Sequence, residues 1–259
     1  GRLIEVLSGQ SLDKYLTEKI LIPCGMMDTA YVVPPEKVHR FSDLYMGKDA
    51  IPIIGLVRPP NRNSRGLVNI TMRSDGGALP GGQYHAAHRK NRLFYGGSGL
   101  VGTASDYAKF CEMLMLGGRT REGRRIISNK TLEFMTCNHL EKDGVKVDME
   151  TIAVPGYVET TATAGTGFGL GFSCILDPVV TRQINSMGSF RWGGAASTTF
   201  WCDPTENLFV VFMTQLMFRN DLELPLTAIL KQMVYGAIDE SPSERNKNAL
   251  LLSSQKCKL

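Results

Sequence analysis

Ser11 and Lys14 form the pattern S-x-x-K, in which a serine hydroxyl attacks a carbonyl carbon while the lysine amine takes its proton. That chemistry requires both side chains inside one site. The surrounding residues read as a helix with Leu12, Tyr15 and Leu16 on its apolar face, and a rotation of about 100° per residue turns Lys14 away from that face. We therefore predict that Lys14 points to solvent and that the match is coincidental.

A second pattern, G-x-G-x-x-G, runs from Gly97 to Gly102 and precedes a predicted helix. A dinucleotide site also needs a following strand that ends in an acid about 20 residues further on. Here that position falls in an Arg/Gly-rich turn around Glu122, with no strand before it. We therefore predict a tight turn beneath a cleft, with Gly97 and Ser98 as candidate substrate-binding residues, and no nucleotide site.

Metal and nucleic-acid sites are not expected. His85 and His88 lie in a Gly/Pro-rich stretch with no predicted helix to align their rings, so we predict neither a metal nor another cofactor. The six cysteines are scattered without a C-x-x-C pair, which indicates free thiols in a reducing compartment. Four arginines are separated by glycines and have no aromatic residues between them, a pattern that favours a solvated turn: Arg119, Arg121, Arg124 and Arg125.

The stretch FRWGGAASTTFW, residues 190–201, places Gly193 and Gly194 at the head of a run that reads as a strand from Thr198 to Trp201. Glycine weakens a strand, so the pair indicates a special local geometry. One interpretation is a β-bulge beside a packed tryptophan. The other is a backbone that a ligand approaches closely. The stretch alone does not decide between them.

The elements that would position these residues are helices followed by strands. Gly9 ends a first helix, Ser11 begins a second that runs to about Ile22, and Thr103 with Asp106 resembles a capping box. A short helix starts near residue 128. Three segments then read as strands, GFGLGFSCIL, GAASTTFWCDP and NLFVVFMTQ, with a turn at DPTEN and a closing helix over about 222–238. This order favours an α+β fold.

Composition agrees with a globular protein, because 43% of residues are hydrophobic and 21% are charged. The longest apolar run, Leu208 to Met213, is too short to cross a bilayer.

The chain starts at Gly1 inside an amphipathic helix pattern, so we expect an upstream segment. We predict a partial domain over 1–238, made of a helix pair (1–31), a helical and loop-rich lobe (32–160) and C-terminal strands with a closing helix (165–238), and then a polar tail (239–259).

Several segments together resemble the serine β-lactamase-like superfamily, which comprises class C β-lactamases, D-alanyl-D-alanine carboxypeptidases and related carboxylesterases. They are the helix pair of 1–31, the stretch YGGSGLVGTASDYAKFCEMLMLGG, the motif FGLGF, and the run from Gly188 to Gln215. The resemblance implies a β-lactamase/transpeptidase-like fold, with an antiparallel sheet flanked by helices. It also implies a serine hydrolase that forms an acyl-enzyme on a small ester or amide.

By that resemblance, Trp192-Gly193-Gly194 occupies the place of the family's K-T-G motif, and the Ala195 N–H would help to bind the oxyanion. Candidate substrate-binding residues are then Trp192, Gly193, Gly194, Ala196, Gly97, Ser98 and Arg219. Trp192 replaces a cation, which favours an uncharged substrate over a penicillin. Arg191 cannot substitute for that cation, because neighbouring strand residues face opposite sides.

The chain has no S-x-x-K in a suitable setting and no Y-x-N or S-x-N. We therefore expect the nucleophile on an N-terminal part outside these residues, and the chain alone to be inactive. The alternative is a non-catalytic relative that uses the cleft for binding or assembly.

The chain ends in Cys257-Lys258-Leu259, a variant of the S-K-L peroxisomal signal. This predicts an import receptor as partner and a peroxisome-type organelle, such as a glycosome, with the cytoplasm as the alternative. The other tail reading is a merely disordered end.

Overall fold

The computed structural model describes residues 1–47, 51–53, 56–58, 67–69, 94–97, 99–152, 164–217 and 225–239. The α-helices are α1 (Arg2–Ser8), α2 (Leu12–Leu16), α3 (Ala104–Met115), α4 (Asn129–Thr136), α5 (Met149–Ile152), α6 (Pro178–Thr181) and α7 (Leu226–Gly236). The strands are β1 (Tyr45–Gly47), β2 (Ile51–Ile53), β3 (Leu56–Arg58), β4 (Leu67–Asn69), β5 (Glu141–Lys142), β6 (Val145–Lys146), β7 (Thr166–Phe168), β8 (Ser173–Ile175), β9 (Phe190–Gly193), β10 (Thr199–Asp203), β11 (Leu208–Phe212) and β12 (Leu216–Met217).

Two compact units divide the chain. The first contains Gly1–Leu132, Gly193–Phe200 and Val210–Leu224, and the second contains Glu133–Trp192, Trp201–Phe209 and Pro225–Leu259. The strands form a five-stranded sheet in the order β11-β10-β9-β8-β7, a three-stranded sheet in the order β12-β1-β4, and the pairs β2-β3 and β5-β6. Strand β8 runs antiparallel to both β7 and β9. The predicted α+β class is confirmed.

The N-terminal helices of the first unit follow the sequence prediction closely. Gly9 ends α1 in the left-handed conformation, with φ of 67°. Ser11 is the N-cap residue of α2, although its side chain makes no cap hydrogen bond. The second helix then widens into a π-helix, Thr17–Leu21, within the range predicted as one helix. Leu12 is buried at 1% exposure and anchors the pair.

Helix α3 is fixed at its start by two different hydrogen-bonding groups. The Thr103 hydroxyl oxygen accepts from the Asp106 N–H at 3.1 Å, so the predicted cap is confirmed. The Asp106 carboxylate does not return to the helix end; its Oδ2 accepts from the Asp28 N–H at 2.7 Å and from the Thr29 hydroxyl at 3.0 Å. This buried acid therefore ties α3 to the chain that leaves the N-terminal helices. Lys109, one turn on, pairs with its Oδ1 at 3.1 Å.

The strands of the last third differ from the prediction in two places. GFGLGFSCIL forms two antiparallel strands, β7 and β8, because Gly171 with φ of 107° allows the chain to reverse between them. Residues 194–198 belong to a turn, so the strand predicted from GAASTTFWCDP is confined to β10. The predicted DPTEN turn is confirmed: the Asp203 Oδ1 accepts from the N–H groups of Thr205 and Glu206.

None of the helices in the described ranges is long and apolar enough to cross a membrane. Five of the six cysteines lie in those ranges and all five are free thiols, as predicted: Cys24, Cys111, Cys137, Cys174 and Cys202. Burial raises the thiol pKa values of Cys24 and Cys174. Cys257 and its neighbours Lys258 and Leu259 lie outside the described residues, so the targeting signal stays a prediction.

A buried polar cluster joins α7 to β10 within the second unit. The Tyr235 hydroxyl donates to Asp203 Oδ2 at 2.7 Å, and Asp203 is fully buried. Lys231, at 1% exposure, places its ammonium 5.6 Å from the ring centroid of Trp201. Burial is the main reason that the pKa of Lys231 falls to about 7; the Arg191 charge lowers it further, while Asp203 opposes the shift.

Substituting Lys231 should change how stability depends on pH. Because its folded pKa lies below its unfolded value of 10.5, the unfolded chain binds more protons between about pH 7 and pH 10.5, and the free energy of unfolding rises with pH across that window. We expect Lys231→Met to raise the free energy of unfolding by about 1–3 kcal/mol at pH 6 and by less at pH 10. Asp203 would keep its bonds to Tyr235 and to the turn.

Urea unfolding at pH 6, 8 and 10 measures this effect, with Lys19→Met as the control, since Lys19 is exposed on the π-helix. The control should follow the wild-type pH profile. Equal changes for the two variants at every pH would show that Lys231 titrates normally.

Candidate active site

The stretch 190–198 forms the end of β9 followed by a tight turn. Gly194 N–H donates to the Thr198 carbonyl at 3.0 Å, and Ser197 N–H donates to the Gly194 carbonyl at 2.9 Å. Ala195 and Ala196 are therefore the two central residues of a four-residue turn. Ser197 closes it in the left-handed conformation, with φ of 60°.

Gly193 and Gly194 are required by Thr198, which lies across the turn. A Cβ on Gly193 would come within 2.9 Å of the Thr198 carbonyl oxygen, and a Cβ on Gly194 within 2.7 Å of its hydroxyl oxygen. Both distances are shorter than real Cβ contacts. The group that approaches this backbone is thus Thr198 of the same chain. The sequence analysis had offered a β-bulge or a bound ligand and did not anticipate this contact.

Three hydrogen bonds from the following segment hold the turn. The Ala196 carbonyl accepts from the Thr214 hydroxyl at 2.6 Å and from the Leu216 N–H at 3.3 Å. The Ser197 hydroxyl donates to the Leu216 carbonyl at 2.7 Å. These bonds fix the peptide groups on the far side of the turn. No local pattern points to Thr214 or Ser197, because their partners are backbone atoms distant in the chain.

Ala195 presents the backbone donor that the resemblance singled out. The residue is exposed, and within the described part of the chain its N–H donates to no other group. A turn held by three hydrogen bonds keeps such a donor in one orientation, as stabilisation of an oxyanion requires. The oxyanion role of Ala195 stays a prediction.

Trp192 lies immediately before the turn, with 43% of its surface exposed. Its ring meets that of Phe168 at a centroid separation of 4.8 Å and an angle of 74°, an edge-to-face contact. The preceding residue, Arg191, lowers the pKa of the buried Lys231, so its charge acts on the buried cluster. Phe168 was not among the residues predicted from the sequence.

The remaining predicted residues fall in other places. Gly97 lies in an exposed turn where a Cβ would have no described residue within 4 Å, whereas a Cβ on Gly102 would come within 2.6 Å of the Thr29 hydroxyl. The second half of the glycine pattern therefore packs against its own chain, near the bridge between Ala30 and Val101. Ser98 and Arg219 lie outside the described residues, as do His85 and His88.

The S-x-x-K match behaves as predicted. Ser11 is exposed, and Lys14 has 59% of its side chain exposed, with its ammonium 3.9 Å from the Glu18 carboxylate. Lys14 therefore points to solvent. Among the residues that the structure describes, no three His, Cys, Asp or Glu side chains come together as a metal site would need.

Comparison with known proteins gives the family. A family model described as Beta-lactamase matches residues 1–232. The chain belongs to the Beta-lactamase family. Two proteins of Mycobacterium tuberculosis are each 25% identical to it over 219 residues: Protein Rv1367c of strain ATCC 25618 / H37Rv and Uncharacterized protein MT1414 of strain CDC 1551 / Oshkosh. The alignment covers 83% of this chain and 46% of each relative, so the chain spans about half their length.

Solved structures confirm the predicted β-lactamase/transpeptidase-like fold. Unliganded simvastatin synthase (LovD) from Aspergillus terreus gives a TM-score of 0.67 at 20% identity, over 93% of this chain and 53% of that one. EstCE1, described as a hydrolase with promiscuous acyltransferase activity, gives 0.54 at 20% identity, over 83% and 48%. A penicillin-binding protein homologue from Caulobacter crescentus gives 0.51 at 18% identity, over 84% and 50%.

The turn geometry predicts different effects for alanine at the two glycines. Gly193→Ala brings Cβ against a backbone oxygen, which cannot move without opening the turn, so we expect a loss of about 2–3 kcal/mol in the free energy of unfolding. Gly194→Ala meets only a hydroxyl, and we expect Thr198→Ala to recover most of its loss in the double variant. Urea unfolding of the four variants measures this. An equal loss at both glycines, with no recovery, would contradict the geometry.

Proposed function

We propose that this protein is a serine hydrolase or acyltransferase that cleaves an uncharged ester or amide through an acyl-enzyme. The observation that carries the proposal is the exposed Ala195 N–H, which has no partner among the described residues and lies on a turn that three hydrogen bonds hold. A donor of this kind binds the negative oxygen that develops when a carbonyl is attacked. Membership of the Beta-lactamase family supports the same chemistry.

The nucleophile, in this proposal, is a serine on a part of the protein outside these 259 residues. Its oxygen would bond to the substrate's carbonyl carbon while a lysine and a tyrosine of the family motifs take its proton. The carbonyl electron pair would move to oxygen, where the Ala195 N–H donates. Return of that pair would expel the alcohol or amine with the proton, and water or a second alcohol would then release the acyl group.

The substrate is proposed to be uncharged because Trp192 stands where the family pattern has a lysine. An indole offers a flat apolar surface and cannot pair with a substrate carboxylate. Two cations of the described residues are engaged elsewhere: Lys231 is buried beside Trp201, and the Arg191 charge acts on Lys231. LovD is a simvastatin synthase and EstCE1 is a hydrolase with promiscuous acyltransferase activity, and these two likenesses support an acyl acceptor other than water.

A non-catalytic binding protein is the alternative, and one observation favours it. Within the described residues the S-x-x-K serine and lysine are both exposed on the N-terminal helices, and Lys14 pairs with Glu18. The chain as printed therefore offers no activated serine there. In this alternative the same turn would bind a carbonyl-bearing ligand without reacting.

A fluorophosphonate probe separates the two functions. We expect the protein isolated from its natural source to be labelled on one serine that lies outside residues 1–259, and the isolated 259-residue chain to stay unlabelled. Peptide mapping identifies the modified residue. No label on the natural protein would favour the binding protein, and label on Ser11 would overturn the assignment of the nucleophile.

Replacing Ala195 by proline tests the oxyanion donor. Proline suits the first central position of a turn and removes the N–H, so in the natural protein that also carries the nucleophile Ala195→Pro should keep the fold and lower kcat for a p-nitrophenyl ester by roughly 10²–10³-fold. Ala195→Gly keeps the N–H and is the matched control. If the proline variant retained its kcat while its thermal unfolding matched the control, the Ala195 N–H would not be the donor.

A further inference from the structure

Phe168 occupies a rigid position at the end of β7. Its N–H donates to the Asn138 side-chain oxygen at 3.1 Å, and its carbonyl accepts from the His139 N–H at 2.8 Å. Asn138 is itself fixed, because its amide nitrogen donates to the Val147 carbonyl at 2.8 Å and its oxygen also accepts from the Leu140 N–H at 3.1 Å. The Asn138 side chain and the His139 N–H thus hold the backbone of Phe168 by two hydrogen bonds.

The glycines on either side of Phe168 make this clamp tight. A Cβ on Gly167 would come within 2.6 Å of the Asn138 side chain, and a Cβ on Gly169 would collide with the Met135 carbonyl at 2.0 Å. The chain after α4 therefore lies directly against the backbone on both sides of Phe168. Only the Phe168 side chain, which is half-buried, is left to extend away from this contact.

That side chain extends to Trp192. The two rings are 4.8 Å apart and nearly perpendicular, a geometry that contributes about 0.5–1.5 kcal/mol beyond simple burial. The strand that carries Trp192 is also held, because the Ser173 hydroxyl donates to the Arg191 carbonyl at 3.1 Å and Phe190 pairs with Cys174. Trp192 nevertheless keeps 43% of its surface exposed.

The charges of Arg191 and Lys231, in the second unit, are directed away from Trp192. Side chains of successive strand residues point to opposite faces, so Arg191 and Trp192 diverge. The Arg191 charge acts on Lys231, which packs against the Trp201 ring. The exposed indole of Trp192 is therefore supported by another aromatic ring.

We infer that Phe168 is a positioning residue that holds Trp192 as a binding wall for an uncharged apolar acyl group, either an alkyl chain or an aromatic ring. The inference rests on the proposed function, because it assigns the acyl side of that site. Packing on a fixed indole would remove apolar surface from water, so affinity should grow with the length of the acyl chain.

Fluorescence of the 259-residue chain tests the wall without requiring catalysis. Trp201 is 1% exposed, so acrylamide quenches Trp192 selectively, and a bound acyl chain should shield it. The probes are the methyl esters of butanoic, hexanoic and octanoic acids, together with the octanoate anion. We expect the dissociation constant to fall roughly two- to fourfold for each added methylene, and the anion to bind more weakly than its ester.

Phe168→Leu should weaken binding of methyl octanoate by about two- to tenfold and reduce the near-ultraviolet circular dichroism of Trp192. Phe172→Leu is the matched control, since Phe172 packs on Phe190 at 5.3 Å in the same unit and is not part of the wall. The control variant should bind as the wild type does, and Trp192→Phe should abolish the protected signal. In a protein that turns over, Phe168→Leu should raise KM for the octanoyl ester more than KM for an acetyl ester, and Phe172→Leu should raise neither.

Dissociation constants that do not change with the length of the acyl chain would overturn the inference. So would a Phe168→Leu variant that binds methyl octanoate as tightly as the wild type does. These results are separable from failure of the proposed function. If fluorophosphonate does not label the protein but affinity rises with chain length, the binding wall stands and the acyl-enzyme mechanism is rejected. If the protein is labelled but affinity does not depend on chain length, the acyl-enzyme mechanism stands and the binding wall is rejected.

Discussion

The close approach of Thr198 to Gly193 and Gly194 is the constraint on which the candidate site depends. Because no Cβ fits at either glycine, the two sides of the turn can lie in direct backbone contact. That contact places Ala195 and Ala196 at the tip, where Thr214 and Leu216 bind the Ala196 carbonyl and the Ala195 N–H has no partner among the described residues. A side chain added at Gly193 would collide with the Thr198 carbonyl, open the turn and leave the Ala195 N–H without a fixed orientation.

Two kinds of support, one polar and one aromatic, meet at neighbouring residues. The turn is held through the Ala196 carbonyl by Thr214 and Leu216, whereas Trp192 is held through its ring by Phe168. Hydrogen bonds to the backbone fix where a donor points, and ring packing fixes where an apolar surface lies.

Family membership and the local departure from the family pattern carry different information. The Beta-lactamase match over residues 1–232 and the likeness to LovD give the fold. The predicted placement of Trp192 at the family's lysine position concerns the substrate, because an indole and an ammonium favour opposite partners, and it stands as a proposal. The chain spans about half the length of the curated relatives it matches, and the activity of the whole protein accordingly stands as a proposal.

Local sequence determined the helices, their ends and the α+β class. Gly9 and Thr103 act within one turn of their own position, so short-range rules suffice for them. The solvent-facing Lys14 follows from helical periodicity in the same way. The chain reversal within GFGLGFSCIL could not be predicted from the sequence. A glycine needed for a turn and a glycine needed because a neighbour leaves no room for a Cβ are the same letter in the sequence.

Only the tertiary structure decided why each glycine is there and which side chains support the site. Thr198 excludes a Cβ at Gly193, and Asn138 reaches Phe168 from 30 residues away. The carboxylate of Asp106, read as part of a cap, instead bonds to Asp28 and Thr29. Each of these contacts joins segments distant in the chain, and a distance between such segments is set by packing, which no local pattern encodes.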